Sequence, residues 1–85
     1  MNAITKISAP LRISELAAAV GVDSETIRYY EKTGLLPPPA RSDNGYRAYG
    51  QAHVQRLAFI RHCRSLDIPL ADIQQLLTLL DDPKA

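Results

Sequence analysis

The stretch Asp23-Ser24-Glu25-Thr26-Ile27-Arg28-Tyr29-Tyr30-Glu31 decides the fold, because it has the pattern of a short helix with a well-defined start. Asp23 is suited to accept hydrogen bonds from the free backbone N–H groups of a first helical turn. Glu25 adds a second negative charge near the positive end of the helix dipole. We therefore expect a helix that begins directly after Asp23.

This helix has two different edges. At about 100° per residue, Ile27 and Tyr30 share one edge, whereas Arg28 and Lys32 share another edge with Tyr29 beside them. The first edge is apolar and the second is cationic and aromatic. We expect the first to pack against the protein and the second to meet a partner.

The segment before this helix predicts a helix-turn-helix. A short extended segment at residues 11–13 is followed by a helix over residues 14–20, which Gly21 ends because glycine accepts a left-handed conformation. Only Gly21-Val22-Asp23 separates the two helices. A short turn of this kind is typical of a helix-turn-helix, whose second helix enters the major groove, but it also occurs in helical bundles without a nucleic-acid role.

The segment after this helix predicts a two-stranded wing. Gly34 ends the helix, Pro37-Pro38-Pro39 forms a stiff connector, and Asn44-Gly45 is a strong hairpin signal. The wing spans residues 41–49, with Arg47 on one face and Tyr46 on the other. Tyr46 and Tyr49 each suit either packing or contact with a partner.

Two further helices complete the predicted fold, which is mostly α, with four helices and a small β-hairpin wing. Gly50 is suited to begin a third helix over residues 51–66. Its predicted apolar arc consists of Leu57, Phe59, Ile60, Cys63 and Leu66. Arg56 lies inside this arc, near the start of the helix, where its long stem can carry the charge outward.

The fourth helix follows Pro69, and its predicted apolar stripe consists of Leu70, Ile73, Leu76, Leu77 and Leu80. Asp81-Asp82-Pro83 ends it, and acids at the negative end of a helix dipole are unfavourable. Leu79 lies outside the stripe. It is either an ordinary exposed leucine or part of a platform for a partner.

Composition and charge limit the possible classes of protein. The 85 residues, 46% hydrophobic and 22% charged, fit one small globular domain over residues 11–82, with a loose leader at 1–10 and a tail at 83–85. A single cysteine, with no long apolar run, predicts a cytoplasmic protein that does not enter a membrane. Between residues 26 and 64, seven Arg or Lys residues oppose two acids, which indicates either a mixed solvated surface or a basic face.

The chain lacks a pattern typical of an enzyme or a metal site. His53, His62 and Cys63 are the candidate ligands, but on one helix the two histidines point about 180° apart, and His53 lies about 15 Å from Cys63 along the axis. We expect Cys63 to pack as a small apolar residue. No nucleophile with a base, phosphate loop or carboxylate pair has a recognisable spacing, so we predict no enzymatic activity, no metal and no cofactor.

The ordered motifs resemble the N-terminal winged helix-turn-helix DNA-binding domain of the MerR family of transcription regulators, over about residues 11–80. The phrases that carry the resemblance are Ile13-Ser14-Glu15-Leu16-Ala17, Thr26-Ile27-Arg28-Tyr29-Tyr30-Glu31-Lys32-Thr33-Gly34-Leu35-Leu36, Gly45-Tyr46-Arg47-Ala48-Tyr49 and Phe59-Ile60-Arg61. Two others, residues 37–47 and 61–67, are most similar to the branch that responds to cadmium and lead.

The resemblance implies a role for seven residues in binding promoter DNA. Thr26, Arg28 and Tyr29 are expected to meet the major groove and its flanking phosphates, with Arg28 the candidate for a guanine edge. The wing and the third helix are expected to contact the phosphate backbone through Arg41, Tyr46, Arg47 and Arg61. The resemblance also implies dimers that distort promoters for RNA polymerase.

The sequence departs from the family pattern at its end, since a full regulator continues into a dimerisation helix and an effector loop. We therefore expect the DNA-binding part of a MerR-like transcription regulator that lacks the dimerisation helix and effector loop, with a weak or absent homodimer. The resemblance is to a metal-responsive regulator, but the metal response itself cannot be transferred to this chain. Two alternatives stay open: a protein-interaction domain that docks through the helix at residues 70–82, and a short regulator that competes for operator DNA without sensing an effector.

Overall fold

The computed structural model describes residues 9–41 and 43–81 of the chain. Within them it shows four helices, α1 (Ile13–Val20), α2 (Ser24–Thr33), α3 (Gln51–Ser65) and α4 (Leu70–Asp81), and two strands, β1 (Ala40–Arg41) and β2 (Arg47–Ala48). The strands pair antiparallel between α2 and α3. The prediction of a mostly α winged helix-turn-helix is confirmed. Residues 1–8 of the predicted leader, Asp82 and the predicted tail lie outside the described residues.

The helix-turn-helix forms where the sequence predicts it. Gly21 ends α1 with a φ of 72°, and its N–H donates to the carbonyl of Ala17 at 2.9 Å. The N–H of Thr26 donates to Oδ1 of Asp23 at 2.9 Å, which begins α2. Gly34 then ends α2 with a φ of 86°. The two helix ends depend on glycines that accept a left-handed backbone, and the start of α2 depends on Asp23, which takes an extended backbone.

One apolar core joins all four helices. Its fully buried members include Leu16 of α1, Ile27 of α2, Leu57 and Ile60 of α3, and Ile73 of α4. Burying a side chain of this size stabilises the fold by about 1.5 to 3 kcal/mol. Ile27 and Tyr30 are both buried, so the predicted inward edge of α2 is confirmed.

The arc of α3 differs from its prediction at the C-terminal end. Cys63 is buried as expected, and Val54, which was not predicted, is also buried. The prediction for Leu66 was wrong, since its side chain is 60% exposed. The helix ends at Ser65, and Asp67 takes a positive φ of 63°, so Leu66 does not continue the helical periodicity.

The start of α3 is fixed by His53, one of the candidate metal ligands. Its Nδ1 accepts the N–H of Gly50 at 3.0 Å, and its Nε2 lies 3.1 Å from the carbonyl oxygen of Pro37. With Nδ1 as the acceptor, Nε2 carries the proton and donates to Pro37. His53 therefore joins α3 to the proline connector.

The stripe of α4 is only partly buried. Ile73 and Leu77 lie in the core and Leu70 is partly buried against it, but Leu76 and Leu80 are exposed, so only part of the predicted apolar stripe packs. The rest of the core covers a narrower arc of α4 than the stripe occupies. Nη2 of Arg56 lies 2.5 Å from Oδ1 of Asp81, so the unfavourable acid at this helix end gains a cation as partner.

The wing is short and anchored at its end. Ala40 pairs with Ala48 and Arg41 with Arg47, and Gly45 has a φ of 85° in the connecting loop. Tyr49, which follows β2, exchanges two backbone hydrogen bonds of 2.8 Å with Leu11. Its side chain is fully buried, so of the two alternatives for Tyr49 the structure shows packing. No helix in the described part of the chain has the length and apolar character needed to cross a membrane.

Candidate nucleic-acid interface

The outer face of α2 presents the side chains expected to contact DNA. Arg28 and Tyr29 are exposed, while Ile27 and Tyr30 on the opposite edge are buried. Burial of that edge holds the helix against the core and leaves the Arg28 guanidinium free in water. Its five N–H donors suit guanine edges and phosphate oxygens.

The start of α2 is kept rigid by Asp23 and Thr26. Hydrogen bonds from Thr26, first from its side chain and then from its backbone, hold the pKa of the Asp23 carboxyl below its usual range. The carboxyl is therefore charged at neutral pH, when it stabilises the helix start. Thr26 is half-buried and lies one turn before Tyr29 and Tyr30.

An open groove of about 420 Å³ lies beside the helix-turn-helix turn. It brings Thr26 together with Arg61 of α3, and Gly21, Val22, Asp23, Tyr30 and Arg64 also line it. A Cβ placed on Gly21 would lie 3.4 Å from the guanidinium carbon of Arg61. The Arg61 guanidinium therefore lies directly beside the turn, at van der Waals distance from that position.

A second open groove, of about 310 Å³, lies between the wing and the start of α1. Arg41, Tyr46 and Arg47 line it, together with Arg12, Ile13, Ser14 and Gly45. The guanidinium of Arg12 lies 4.7 Å from the centre of the Tyr46 ring, within the range of a cation–π interaction. Tyr46 is half exposed, so the stacked pair faces the solvent.

Glu31 of α2 contacts the wing through both carboxylate oxygens. Oε1 lies 3.2 Å from Nη1 of Arg47, and Oε2 accepts a hydrogen bond from the Tyr49 hydroxyl at 2.5 Å. Burial first, and then the hydrogen bond to Glu31, raise the pKa of the Tyr49 hydroxyl. A neutral phenol that donates to a charged carboxylate is the stable arrangement here.

The structure collects the seven predicted residues into three places. Thr26 and Arg61 share the groove at the turn, Arg41, Tyr46 and Arg47 share the groove at the wing, and Arg28 and Tyr29 project from α2. Their roles in DNA binding stay predictions.

Two residues of this surface were not predicted from the sequence. Arg12 follows Leu11 in a short extended segment, and nothing local indicates that the wing folds back onto it. Glu31 carried a weak signal, because it lies four residues after Ile27 and therefore near the inward edge of α2. In residues 9–41 and 43–81, no three His, Cys, Asp or Glu side chains come together in an arrangement that would hold a metal ion.

Comparison with known proteins gives a consistent result. The family model described as MerR HTH family regulatory protein matches residues 11–80. A relative from Haemophilus influenzae, "HTH-type transcriptional regulator ZntR homolog", is 52% identical over 69 residues, which are 81% of this chain and 51% of the relative. The chain spans about half the length of the curated relatives it matches.

Two solved structures share the fold. The regulator PbrR691 from Ralstonia metallidurans CH34, in complex with lead(II), matches with a TM-score of 0.80 and 48% identity over 88% of this chain and 58% of its own. HiNmlR, a regulator without its sensor domain bound to promoter DNA, matches with a TM-score of 0.73 and 27% identity, over 85% of this chain and 56% of its own.

Proposed function

This chain belongs to the MerR HTH family of regulatory proteins and carries the family's helix-turn-helix domain, and on this premise we propose that it binds double-stranded promoter DNA in a sequence-specific manner. In this proposal α2 enters the major groove, and the wing and the turn contact the phosphate backbone on either side.

The observation that carries the proposal is the two-sided character of α2. Its inner edge is fixed by the buried Ile27 and Tyr30, and its outer edge exposes Arg28 and Tyr29. A groove lined by arginine borders the turn before it, and another lies at the wing. This distribution suits a rigid reader with cationic contacts around it.

Each predicted residue has a proposed role. Arg28 bonds a guanine edge, while Thr26 and Tyr29 contact the groove wall and its phosphates. The phosphate contacts that set the register come from Arg41, Tyr46, Arg47 and Arg61. The missed residue Arg12 adds a cation beside Tyr46 on the same side of the wing.

We place this domain in a cytoplasmic, metal-responsive regulator that presents promoter DNA to RNA polymerase. The support is the likeness to a regulator whose crystal structure contains lead(II) and to a relative from Haemophilus influenzae named "Probable heavy metal-dependent transcriptional regulator", which is 50% identical over 74 residues. Within this chain Cys63 is buried in the core, so we assign the metal response to no residue described here.

We further propose that the chain associates with a second copy through α4. Leu76, Leu79 and Leu80 are all exposed on this helix, and neighbouring exposed leucines are typical of an interaction surface. Sedimentation over a wide range of concentrations, with and without promoter DNA, tests this proposal. A strict monomer under both conditions would refute it. The exposed leucines also suit the alternative of a protein-interaction domain. They do not favour it over a DNA-bound dimer.

The DNA-binding proposal is tested by titrating a labelled palindromic promoter fragment and a scrambled fragment at about 50 and about 200 mM salt. Each phosphate contact lowers the slope of log affinity against log salt by about 0.9, so three contacting arginines give a slope near −3. The palindrome should bind more tightly than the scrambled fragment at both salt concentrations. Equal affinity for the two fragments would contradict sequence-specific binding.

A further inference from the structure

We propose that Glu31 is a positioning residue that fixes the wing relative to the recognition helix α2 and aims the Arg47 guanidinium. This inference rests on the proposed DNA-binding function. Glu31 is acidic and lies within a cationic surface, yet we expect it to increase the affinity for DNA.

The contact geometry of Glu31 is that of a bridge between two elements. Glu31 lies on α2, and both of its partners, Arg47 and Tyr49, belong to the wing or follow it directly. Only 9% of its side chain is exposed, so water competes weakly for the carboxylate. Hydrogen bonds to a charged group in such surroundings are the strong ones.

Tyr49 gives this bridge a fixed end. Its backbone N–H and carbonyl both bond to Leu11. Its ring makes an edge contact with the His53 ring, with 5.2 Å between the ring centres. The strands themselves are only two residues long, and an isolated hairpin of that length does not hold its own orientation. The contact with Glu31 is therefore the side-chain link that sets the angle between wing and α2.

The bridge leaves Arg47 able to contact DNA. One guanidinium nitrogen, Nη1, faces Glu31, and Arg has five N–H donors in a planar fork. Arg47 also contacts the Tyr49 hydroxyl, which helps to orient it, and part of its donor fork stays available because the side chain is 38% exposed. Glu31 thus holds Arg47 in one direction before DNA arrives.

Charge alone predicts the opposite result from this proposal. A carboxylate near the DNA-binding surface repels phosphates, so neutralising it should tighten binding. If Glu31 positions the wing, neutralising it should weaken binding to the promoter instead. The sign of the effect separates the two explanations.

The experiment compares Glu31→Gln with Glu25→Gln, an exposed glutamate on the same helix. Both variants lose one negative charge, but only the first breaks the double contact, because the Gln amide keeps one acceptor oxygen where the carboxylate has two. We expect E31Q to weaken binding to the palindromic fragment roughly tenfold and E25Q to leave it equal or tighter. Binding of E31Q to a scrambled fragment should not weaken, since non-specific binding depends on charge.

Arg47→Gln and the E31Q/R47Q double variant complete a double-mutant cycle. If Glu31 acts through the wing that carries Arg47, the loss of affinity in the double variant is smaller than the sum of the two single losses. Additive losses would overturn the proposal, as would an E31Q variant that binds the promoter as tightly as the unmodified chain. Urea unfolding checks that each variant is folded, and Glu31→Asp, which keeps the charge on a shorter stem, replaces E31Q if that variant does not fold.

Amide hydrogen exchange at Tyr49, whose N–H donates to the carbonyl of Leu11 at 2.8 Å, separates failure of this inference from failure of the proposed function when it is measured without DNA. We expect faster exchange at this amide in E31Q than in E25Q. If the chain binds no promoter but E31Q still exchanges faster than E25Q, the DNA-binding proposal is refuted and the bridge between Glu31 and the wing remains supported. Identical exchange in the two variants would overturn the positioning role whatever the DNA result.

Discussion

Arg28 is exposed to solvent on a helix that is held against the core, because the buried Ile27 precedes it and the buried Tyr30 follows closely. A guanidinium held in this way can bond a guanine edge without first losing much backbone freedom. The neighbouring Lys32 is also exposed but lies in the last turn of α2. Variants of Arg28 and Lys32 therefore distinguish a contact with a base from general electrostatic attraction to DNA.

Arg28→Ala should reduce discrimination between the promoter and a base-substituted fragment by about 1 to 3 kcal/mol, since a bidentate base contact is lost. Lys32→Ala is the matched control and should weaken both fragments by a similar factor. Competition titrations with the two fragments measure the difference. A uniform loss in both variants would remove Arg28 as a base reader.

Tyr49 links stability to pH. Burial and the hydrogen bond to Glu31 raise the pKa of its hydroxyl, so the folded state holds this proton more tightly than the unfolded state does. The stabilisation is complete below the ordinary tyrosine pKa, near 10, and is lost as pH rises through the higher folded value. The wing and the core should therefore loosen together in strong alkali.

Tyr49→Phe should cost about 1 to 2 kcal/mol of unfolding free energy at neutral pH, because the hydroxyl donates to a charged acceptor. Above about pH 10 the variant should lose stability less steeply than the unmodified chain. Urea unfolding followed between neutral and alkaline pH measures both effects. Parallel curves for the two chains would contradict the link to Tyr49.

Among the elements, the turn between α1 and α2 depends most on one residue. Gly21 has a φ of 72°, and any added Cβ would also approach the Arg61 guanidinium at 3.4 Å. Gly34 has a similar φ of 86°, and a Cβ there would lie 3.6 Å from Nε2 of Gln74, which is also van der Waals contact but lies away from the proposed interface. The two glycines carry the same backbone strain with different consequences for the proposed interface.

Gly21→Ala and Gly34→Ala should each destabilise the fold by about 1 to 2 kcal/mol, the cost of a left-handed residue with a Cβ. Of the two, only Gly21→Ala places its methyl group against a proposed phosphate contact, at 3.4 Å from the Arg61 guanidinium, so it should weaken promoter binding more than Gly34→Ala does. Thermal unfolding and DNA titration on both variants test this. Equal DNA affinity in the two would contradict the prediction that a side chain at position 21 restricts the Arg61 guanidinium.

The elements also show what local sequence can predict. The start of α2 at Asp23, its end at Gly34 and its buried edge were predicted correctly, because each depends on neighbours within one turn. Leu66 was misplaced because the helix ends before it. Leu76 and Leu80 were misplaced because their burial depends on how much of α4 is covered by the rest of the core, which periodicity does not specify.

The candidate site was predictable to a similar extent. Motif resemblance assigned seven residues to it, and the structure groups five of them in two grooves. Arg12 on Tyr46 and Glu31 on Tyr49 join distant parts of the chain, and the second pair is separated by 18 residues. Contacts of this length follow from the packing of the wing, so no local pattern indicates them.

In the molecule as a whole, the basic residues and the exposed leucines lie on different elements. The basic side chains of α2, the wing and α3 surround the proposed DNA face, whereas α4 carries exposed leucines and ends at the Arg56–Asp81 pair. The DNA binding and the self-association that we propose would therefore use different surfaces of one small domain. A change confined to α4 should leave contact with a single half-site intact.

The central claim, that α2 and the wing form one DNA-binding face, is tested most directly by mapping amide shifts in a nuclear magnetic resonance titration with a half-site duplex. We predict the largest changes at Thr26, Arg28, Tyr29 and Arg47 and around Gly21, with little change at Leu79. Large changes at α4 with α2 unaffected, or no change at saturating duplex, would contradict the account.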